Sequence, residues 1–407
     1  MLGRVGTALA LLLMLLASCS SDPVPLKVTP DVVEKGDTAR TTLLVYMAAE
    51  NSLADFAALD VDEILEAVPD VPRDCRLFVY VDDRRHPVLT QYFRLTDGNA
   101  GCSDHVLFTQ DVCSSDTAAL GKVLDYIIED YPTASLDIVM WSHGSGWLRG
   151  PLNVAPQRSI GVDNGNNSYS NSITRTIEIE ELAALLERLP VRVNRLMFDA
   201  CFMQCAEAAY ALRDAAEWVI ASPAEIPGAG AFYTTLVPCF FLYDGPAEMM
   251  DAYIKAYDDE PAGAVLSAVR TGAMQHLADV TYSYVIKYLN VDKKRDFTDV
   301  FAYLPGGKYT GSVTYPSYYD MNALMSKYLT ADEYAHWRGA YDAAVVFVAF
   351  SPYWYSDVCG RRIAYDVSEC GTMSVYVPQH HSRNARFNAD FKTTAWYSAA
   401  GWEAAGW

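Results

Sequence analysis

The fold and chemistry of this protein are most constrained by two short apolar runs of strand type, each followed by a reactive side chain. Residues 136–141 (LDIVMW) come just before His143, and residues 195–198 (RLMF) come just before Cys201. Apolar runs of this length that break into turn residues are typical of buried parallel strands. In open α/β sheets the reacting groups lie at the carboxyl ends of such strands. A thiol and an imidazole are the parts of nucleophilic catalysis, so the pattern predicts a Cys/His hydrolase.

Predicted strands and helices alternate through the first two thirds of the chain. The pattern predicts strands at 42–48, 76–81, 136–141, 195–198 and 218–221, helices at 52–68, 117–131, 178–189 and 203–214, and a hairpin between 91–95 and 105–108 turned by Asp97-Gly98. This order predicts an α/β fold with a mostly parallel sheet flanked by helices. From about 291 onward the pattern changes to aromatic-rich irregular segments and short strands, which favours a smaller C-terminal subdomain at 291–407.

Several stretches around the two reactive residues resemble the clostripain family of cysteine peptidases. They are 46–53 (YMAAENSL), 141–147 (WSHGSGW), 198–203 (FDACFM) and 371–379 (GTMSVYVPQ), the last of which is similar to clostripain-related proteins of anaerobic gut bacteria. The resemblance covers roughly residues 40 to 402. It implies a fold similar to that of caspases, gingipains and legumain, and therefore a caspase-like peptidase domain at 41–290. It also implies a cysteine endopeptidase that works through a Cys/His dyad and a thioester acyl-enzyme.

Local chemistry suggests a role for each residue at the two strand ends. Cys201 is the expected nucleophile, and His143 is the expected base because its ordinary pKa lies near neutrality. A helix predicted from Met203 would add positive potential at the thiol. The backbone N–H groups of Gly144 and Cys201 are the expected oxyanion donors. Cys205, on the same face of the predicted helix as Cys201, is expected to be a buried core thiol.

Asp199 and Trp147 are the candidate substrate-binding residues. Asp199 resembles the family residue that lines the pocket for a Lys or Arg side chain, which implies cleavage after these residues; the alternative is an Asp that caps the following helix. Trp147 could form a wall of the substrate cleft, or could only pack on the sheet. The segment 223–228 (PAEIPG) departs from the family, where many members carry an acidic stretch. A preference for cleavage after Lys or Arg is therefore less well supported than the Cys/His dyad.

The long connection between Trp147 and residue 178 is polar and rich in turn residues. The family carries out self-cleavage in this loop after a basic residue, which makes Arg158 the candidate site; the alternative is an exposed loop that is not processed. Asp163, Gly165 and Asn167 match a calcium loop poorly because no acidic residue follows at the required distance. No metal and no cofactor are therefore predicted from the residues, although the family resemblance is compatible with bound calcium.

The N-terminus predicts export. Arg4 precedes an apolar stretch at 8–16, and LASC at 16–19 resembles a bacterial lipobox. The resemblance implies a lipoprotein signal peptide at 1–18, lipidation of Cys19, and a proline-containing tether at 19–40. We therefore expect a protein anchored by its N-terminal lipid in the bacterial cell envelope, on the periplasmic face or at the surface. The alternative is ordinary secretion with Cys19 removed.

The net charge of −20 argues against nucleic acid as a partner, since phosphate binding needs basic patches. Peptides or proteins are the expected substrates; the acidity would attract cationic peptides, or would simply keep the protein soluble. An α/β-hydrolase is disfavoured because the sequence contains no G-x-S-x-G motif. The remaining alternative is a non-catalytic surface lipoprotein with a peptidase-like fold, which would bind peptides or glycans through its aromatic segment at 303–319.

Overall fold

A nine-stranded sheet lies at the centre of the protein. The computed structural model describes residues 28–83, 87–148, 159–165, 176–257, 260, 262–308, 314–365 and 370–407. In chain order the strands are β1 (Thr41–Ala48), β2 (Cys75–Asp82), β3 (Val88–Arg94), β4 (Ala100–His105), β5 (Leu136–Trp141), β6 (Val193–Asp199), β7 (Ala216–Ala221), β8 (Val265–Arg270), β9 (Ala302–Leu304), β10 (Gly307–Lys308), β11 (Thr314–Tyr315), β12 (Tyr318–Asp320), β13 (Val345–Phe350), β14 (Tyr353–Ser356), β15 (Arg361–Ala364) and β16 (Ser374–Val375).

The α-helices lie between these strands and after them. They are α1 (Ala54–Ala67), α2 (Thr117–Asp130), α3 (Ile179–Glu187), α4 (Ala206–Ala211), α5 (Tyr233–Leu242), α6 (Ala247–Lys255), α7 (Met274–Tyr288), α8 (Met321–Tyr328), α9 (Ala331–Ala344), α10 (Ala385–Phe391) and α11 (Ala395–Ala399). Short 3₁₀ helices span Val68–Asp70, Leu212–Asp214, Thr271–Ala273 and Ser382–Asn384.

The strand order in the central sheet is β13-β8-β7-β6-β5-β1-β2-β3-β4. The five strands from β7 to β2 pair in parallel, and antiparallel pairs lie at both edges. The predicted α/β fold with a mostly parallel sheet is thus confirmed. The boundary at residue 290 stays a prediction, and β13 from beyond it adds an edge strand to the sheet. The other strands form small sheets of their own, including the β14-β15 hairpin.

Two apolar layers hold the sheet from opposite sides, because successive side chains of a strand point to opposite faces. In β1, Leu44 and Tyr46 belong to a core that includes buried residues of α2, α3 and the aromatic C-terminal segments. Leu43 and Val45 belong to the opposite core, built with α1, α5 and α6. Every residue of β1 is buried, as expected for a central strand covered on both faces. The carboxyl ends of the central strands are therefore held rigidly.

Three local predictions need correction. The hairpin turns at Asp97-Gly98 as predicted, with Gly98 at φ 88°, but its second strand is Ala100–His105 rather than 105–108. The helix after Cys201 begins at Ala206 rather than Met203. The segments beyond 290 contain the helices α8 and α9 as well as short strands. Their aromatic residues obscured the helical pattern, although α9 begins with a capping box between Thr330 and Glu333.

Candidate active site

His143 and Cys201 line one cavity of about 270 Å³ at the carboxyl ends of β5 and β6. These strands are parallel neighbours, and their last residues, Trp141 and Asp199, are paired in register. The sheet therefore brings the imidazole and the thiol to the same edge, as the sequence predicted. Further parts of the wall come from the segment 225–230 and from Asp357 and Val358 at the tip of the β14-β15 hairpin.

A sharp turn in the backbone presents Cys201 to the cavity. The next residue, Phe202, has a left-handed φ of 62°, a conformation that costs a non-glycine residue about 1–3 kcal/mol. Its N–H donates to the Ala224 carbonyl at 2.9 Å, and its ring stacks on Tyr318 with a centroid separation of 4.6 Å. The turn also lies against the loop that follows β5 and carries His143, called here the histidine loop. A Cβ added to Gly144 in this loop would lie 2.8 Å from the Cys201 carbonyl oxygen.

The surroundings of Cys201 keep its thiol protonated. Burial raises the pKa of the thiol to about 12, the backbone of Ile226 lowers it, and the negative charges of Glu225, Asp199 and Asp357 raise it further. The Ile226 N–H donates to Sγ at 3.4 Å. The thiol therefore needs a base to react at neutral pH.

The helix that was expected to activate this thiol is displaced. The left-handed Phe202 interrupts any helical path after Cys201, and α4 begins only at Ala206 and ends at Ala211. The potential of a helix terminus falls off within the first turn, so the expected contribution from a helix beginning at Met203 is absent. Cys205 precedes α4 and is fully buried, as predicted.

His143 contacts a serine that follows β1. Its Nε2 lies 2.9 Å from Oγ of Ser52. The turn that carries Ser52 is anchored by Asn51, whose side-chain amide donates to the carbonyls of Ala48 and Val162, each at 2.8 Å. A fixed turn can hold the imidazole in one orientation. The sequence indicated Ser52 only as the start of a helix, although it lies in one of the stretches that resemble the clostripain family.

The predicted oxyanion donors, Gly144 and Cys201, both line the cavity. Among the described residues, neither of their N–H groups donates to a backbone carbonyl. The neighbouring N–H of Ser145 does so, to Ser159 at 3.1 Å, and the carbonyl of His143 accepts from Gly161 at 3.0 Å. The histidine loop is thus fixed by bonds that leave the Gly144 N–H available.

Asp199 is buried at the end of β6 and lines the cavity. Its Oδ2 accepts from the Ala231 N–H at 2.9 Å and from the Tyr233 hydroxyl at 3.0 Å, while its Oδ1 is buried without a hydrogen bond in the described structure. Burial raises the pKa of this carboxyl to about 6, although the hydrogen bonds from Ala231 and Tyr233 and the nearby Tyr253 hydroxyl lower it. These bonds do not cap α4, which contradicts the helix-cap alternative. Gly230 passes so close that an added Cβ would lie 2.7 Å from Oδ2.

A second acid, Asp60, lies behind Asp199 and was missed by the sequence analysis. It is buried on α1 and accepts from the Trp141 indole N–H at 2.7 Å. Burial raises the pKa of Asp60 to about 8, and the charge of Asp199 raises it further. A usable signal existed, since Asp60 falls on the buried face of α1 between Ala57 and Ile64.

Glu225, in the segment that departs from the family pattern, is buried and joins the cavity wall to the β14-β15 hairpin. Its carboxylate accepts a short hydrogen bond from the Ser356 hydroxyl and another from the Val358 N–H at 3.0 Å. Burial raises the pKa of Glu225, and these two bonds lower it. The bonds hold the tip of the hairpin, with Asp357, against the active-site cavity.

The remaining predicted site residues have different outcomes. Trp147 is 1% exposed, and its ring packs on Tyr376 and Phe391 with centroid separations of 4.9 and 5.7 Å. It is therefore a core residue and does not form a cavity wall, contrary to the substrate-binding prediction. Arg158 and Cys19 lie outside the described residues.

Comparison with known proteins identifies the family. The clostripain family model matches residues 45–407. The chain belongs to the clostripain family. A secreted C11 cysteine protease from Bacteroides thetaiotaomicron, solved in complex with an irreversible peptide inhibitor, is 27% identical with a TM-score of 0.75, over 90% of this chain and 100% of that one. An inactive zymogen C11 protease from Parabacteroides distasonis is 23% identical with a TM-score of 0.75, over 91% and 99%.

A third relative, a B. fragilis cysteine protease, is 28% identical with a TM-score of 0.52, over 59% of this chain and 99% of that one. No curated protein matches the chain. The family model and the C11 structures make this clostripain-family protein a cysteine protease with a mixed α/β fold. In the described part of the chain, no helix has the length and apolar character needed to cross a membrane.

Proposed function

We propose that this clostripain-family protease is an endopeptidase in which Cys201 is the nucleophile and His143 is the general acid and base. The observation that carries the proposal is that both side chains line one cavity at neighbouring strand ends. The irreversible peptide inhibitor of the Bacteroides thetaiotaomicron relative supports peptides as the substrate class.

The reaction follows from the positions of these groups. His143 accepts the thiol proton as Sγ of Cys201 attacks the scissile carbonyl. The N–H groups of Gly144 and Cys201 donate to the oxyanion that forms. His143 then protonates the leaving amine, which departs and leaves a thioester. Water, deprotonated by His143, attacks the thioester, and its collapse releases the carboxyl product and restores the thiol.

The elevated thiol pKa supports base-assisted attack over a resting thiolate. Desolvation and the neighbouring carboxylates raise the pKa of the Cys201 thiol to about 12, so the free enzyme at neutral pH holds it almost entirely protonated. A cationic substrate side chain in the cavity would counter these negative charges and favour the thiolate. Binding of a basic residue and activation of the thiol would thus be coupled.

Cleavage after Arg or Lys rests on Asp199. Its Oδ1 is buried without a hydrogen bond among the described residues, and the carboxyl lines the cavity. With its pKa at about 6, Asp199 is mostly ionised at neutral pH and suited to receive a cation. The exposed Asp357 adds negative charge to the cavity wall. The carboxylate of Glu225 already accepts hydrogen bonds from the β14-β15 hairpin. This supports Asp199, rather than the segment 223–228, as the source of P1 specificity.

Processing and location are part of the proposal. Arg158, which the described residues do not include, is the proposed site of self-cleavage; the Parabacteroides distasonis relative is described as an inactive zymogen, which supports control by processing. The proposed location is the cell envelope, through lipidated Cys19. A relative described as secreted supports export, and the lipobox-like stretch at 16–19 supports the anchor.

Paired variants of Cys201 and of the buried Cys205 test the catalytic assignment. Cys201→Ala should abolish peptide hydrolysis and labelling by a thiol-directed peptide inhibitor, whereas Cys205→Ala should retain turnover. His143→Ala should lower the rate by about two to four orders of magnitude, and the double variant should be little worse than either single one. A Cys201→Ala enzyme that still hydrolyses peptides would refute the proposal. A wild-type protein that neither hydrolyses peptides nor reacts with the inhibitor would instead favour the non-catalytic binding alternative.

A further inference from the structure

A basic groove lies between the loop after α7 and the C-terminal segments. Two adjoining cavities of about 400 and 260 Å³ form it, and they share the segment 378–381 and Trp407. The run 293–295 (KKR) lines the first cavity, and Lys392 lines the second. Among the described residues, no Asp or Glu lines either one. In a chain with 51 acidic and 31 basic residues, this groove is a local reversal of charge.

The acidic residues near the run leave its lysines available. Asp296 accepts hydrogen bonds from the N–H and the hydroxyl of Thr298, at 3.0 and 2.7 Å, and Asp299 pairs with Lys327 at 4.0 Å. Asp292 precedes the run and is exposed, but does not line the groove. The side chains of the three lysines of the groove form no ion pair or hydrogen bond within the described part of the chain. Their charges can therefore be used by a ligand.

Fixed aromatic rings lie beside these cations. The half-buried Trp407 donates its indole N–H to the Leu289 carbonyl at 2.7 Å, and its ring packs on His380 with a centroid separation of 4.8 Å. Nε2 of His380 in turn lies 2.9 Å from the Val291 carbonyl oxygen. The half-buried Phe297 lines the same cavity. The groove therefore combines positive charge with apolar ring faces that are already held in place.

We propose that this groove binds an acidic glycan, a chain of sugar rings that carry sulfate or carboxylate groups. Cations on either side of the shared segment 378–381 match the repeated charges of such a polymer. The rings of Trp407 and His380, which lie between these cations, can pack on the apolar faces of sugar rings. An acidic peptide is a poorer match, because the active-site cavity with Asp199 and Asp357 would repel it.

Contacts place the groove on the active-site side of the sheet. The side-chain amide of Gln379 donates to the Tyr319 hydroxyl at 3.1 Å, and the neighbouring Tyr318 donates to the Ser145 carbonyl in the histidine loop at 2.9 Å. The N-terminal segment 28–40 enters β1 at the opposite, amino end of the sheet. The proposed lipid anchor would therefore hold the groove away from the membrane, which favours a glycan over lipid headgroups. A protein that carries such a glycan would be held near the catalytic residues; this consequence rests on the proposed function, whereas binding of the glycan does not.

Isothermal titration calorimetry with a chondroitin sulfate hexasaccharide tests the groove without reference to activity. The wild-type protein should bind this probe and not the neutral maltohexaose, and the affinity should fall as salt is added, because the paired charges are exposed. The triple variant Lys293→Gln/Lys294→Gln/Lys392→Gln should bind about tenfold more weakly, at about twofold for each exposed ion pair. Trp407→Leu keeps every charge and should weaken binding about fivefold through loss of the ring.

The matched control removes three exposed cations outside the groove. Arg73→Gln/Arg188→Gln/Lys255→Gln should bind the probe as the wild type does. The proposal would be overturned by a wild type that does not bind the sulfated probe, or by equal affinities in the two triple variants. Equal binding of hexaglutamate would assign the groove to peptides, and binding only to vesicles of anionic phospholipid would assign it to a membrane; either result would also overturn it. Glycan binding without peptide hydrolysis would refute the proposed function alone, and hydrolysis without glycan binding would refute only this inference.

Discussion

Replacing Asp199 with asparagine should remove the preference for basic residues at P1 while leaving the catalytic groups in place. The asparagine side chain would keep an oxygen that can accept from Ala231 and Tyr233, the two donors that now hold Oδ2. The substitution therefore removes the negative charge with little change of shape. The free energy of unfolding should not fall, because burial already disfavours the ionised form of this carboxyl and raises its pKa to about 6.

The size of the loss of preference for basic P1 residues follows from Oδ1 of Asp199, which accepts no hydrogen bond in the described structure. A cationic P1 group that contacts Oδ1 gains a charged hydrogen bond worth about 1.5–3 kcal/mol. At about 1.36 kcal/mol for each factor of ten, kcat/KM for an Arg substrate relative to an Ala substrate should fall about 12- to 160-fold in Asp199→Asn. The matched control is Asp357→Asn. Asp357 also lines the cavity but is exposed, so its loss should cost at most about 1 kcal/mol, or about fivefold.

The assay is a panel of fluorogenic peptides that differ only at P1, measured across pH. The titrations of Cys201 and His143 affect kcat/KM for the Arg and the Ala substrate equally. Their effects therefore cancel in the ratio of the two kcat/KM values. In the wild type this ratio should fall as the pH drops through about 6, because protonation removes the Asp199 charge. In Asp199→Asn the ratio should be low at every pH. An Asp199→Asn enzyme that keeps the full preference for Arg, or a wild type that cleaves only after apolar or acidic residues, would refute this reasoning.

Four further predictions use other residues. Ser52→Ala removes the contact with His143 Nε2 and should lower kcat about 2- to 12-fold with KM unchanged, the cost of one hydrogen bond; an unchanged kcat would show that Ser52 does not orient the imidazole. Glu225→Gln should weaken the attachment of the β14-β15 hairpin, which limited proteolysis would detect as faster cleavage within 353–364, with a lower kcat/KM but continued alkylation of the nucleophile. Arg158→Ala should prevent self-cleavage, as read by electrophoresis, without loss of peptide hydrolysis; cleavage at the same position would disprove the assignment. Metabolic labelling with a fatty acid should mark the wild type and not Cys19→Ser, and label that persists in the variant would exclude the lipobox interpretation.

Much of the sheet and the two central residues of the site could be predicted because their signals are local. The apolar runs that became β1, β2, β5, β6 and β7 are each contained in a few consecutive residues. Neighbouring parallel strands end at the same edge of a sheet, so a histidine after β5 and a cysteine after β6 were expected to share one cavity. Trp147 was misassigned because nearness in sequence to His143 does not decide which way a ring points.

The supporting contacts could not be predicted, because they join residues that lie far apart in the chain. Ser52 and His143 are separated by 91 positions, Asp60 and Trp141 by 81, and Glu225 and Ser356 by 131. No periodicity or motif connects such pairs. Each contact depends on how helices and hairpins pack around the sheet.

The sequence by itself determined the class of chemistry and the strand ends that carry it, because residue type and apolar pattern are properties of the chain. Only the tertiary structure decided the electrostatic state of those groups. Burial and neighbouring carboxylates raise the pKa of the Cys201 thiol to about 12, and burial raises that of Asp199 to about 6. Desolvation and charge proximity depend on distances in space, and folding alone sets those distances.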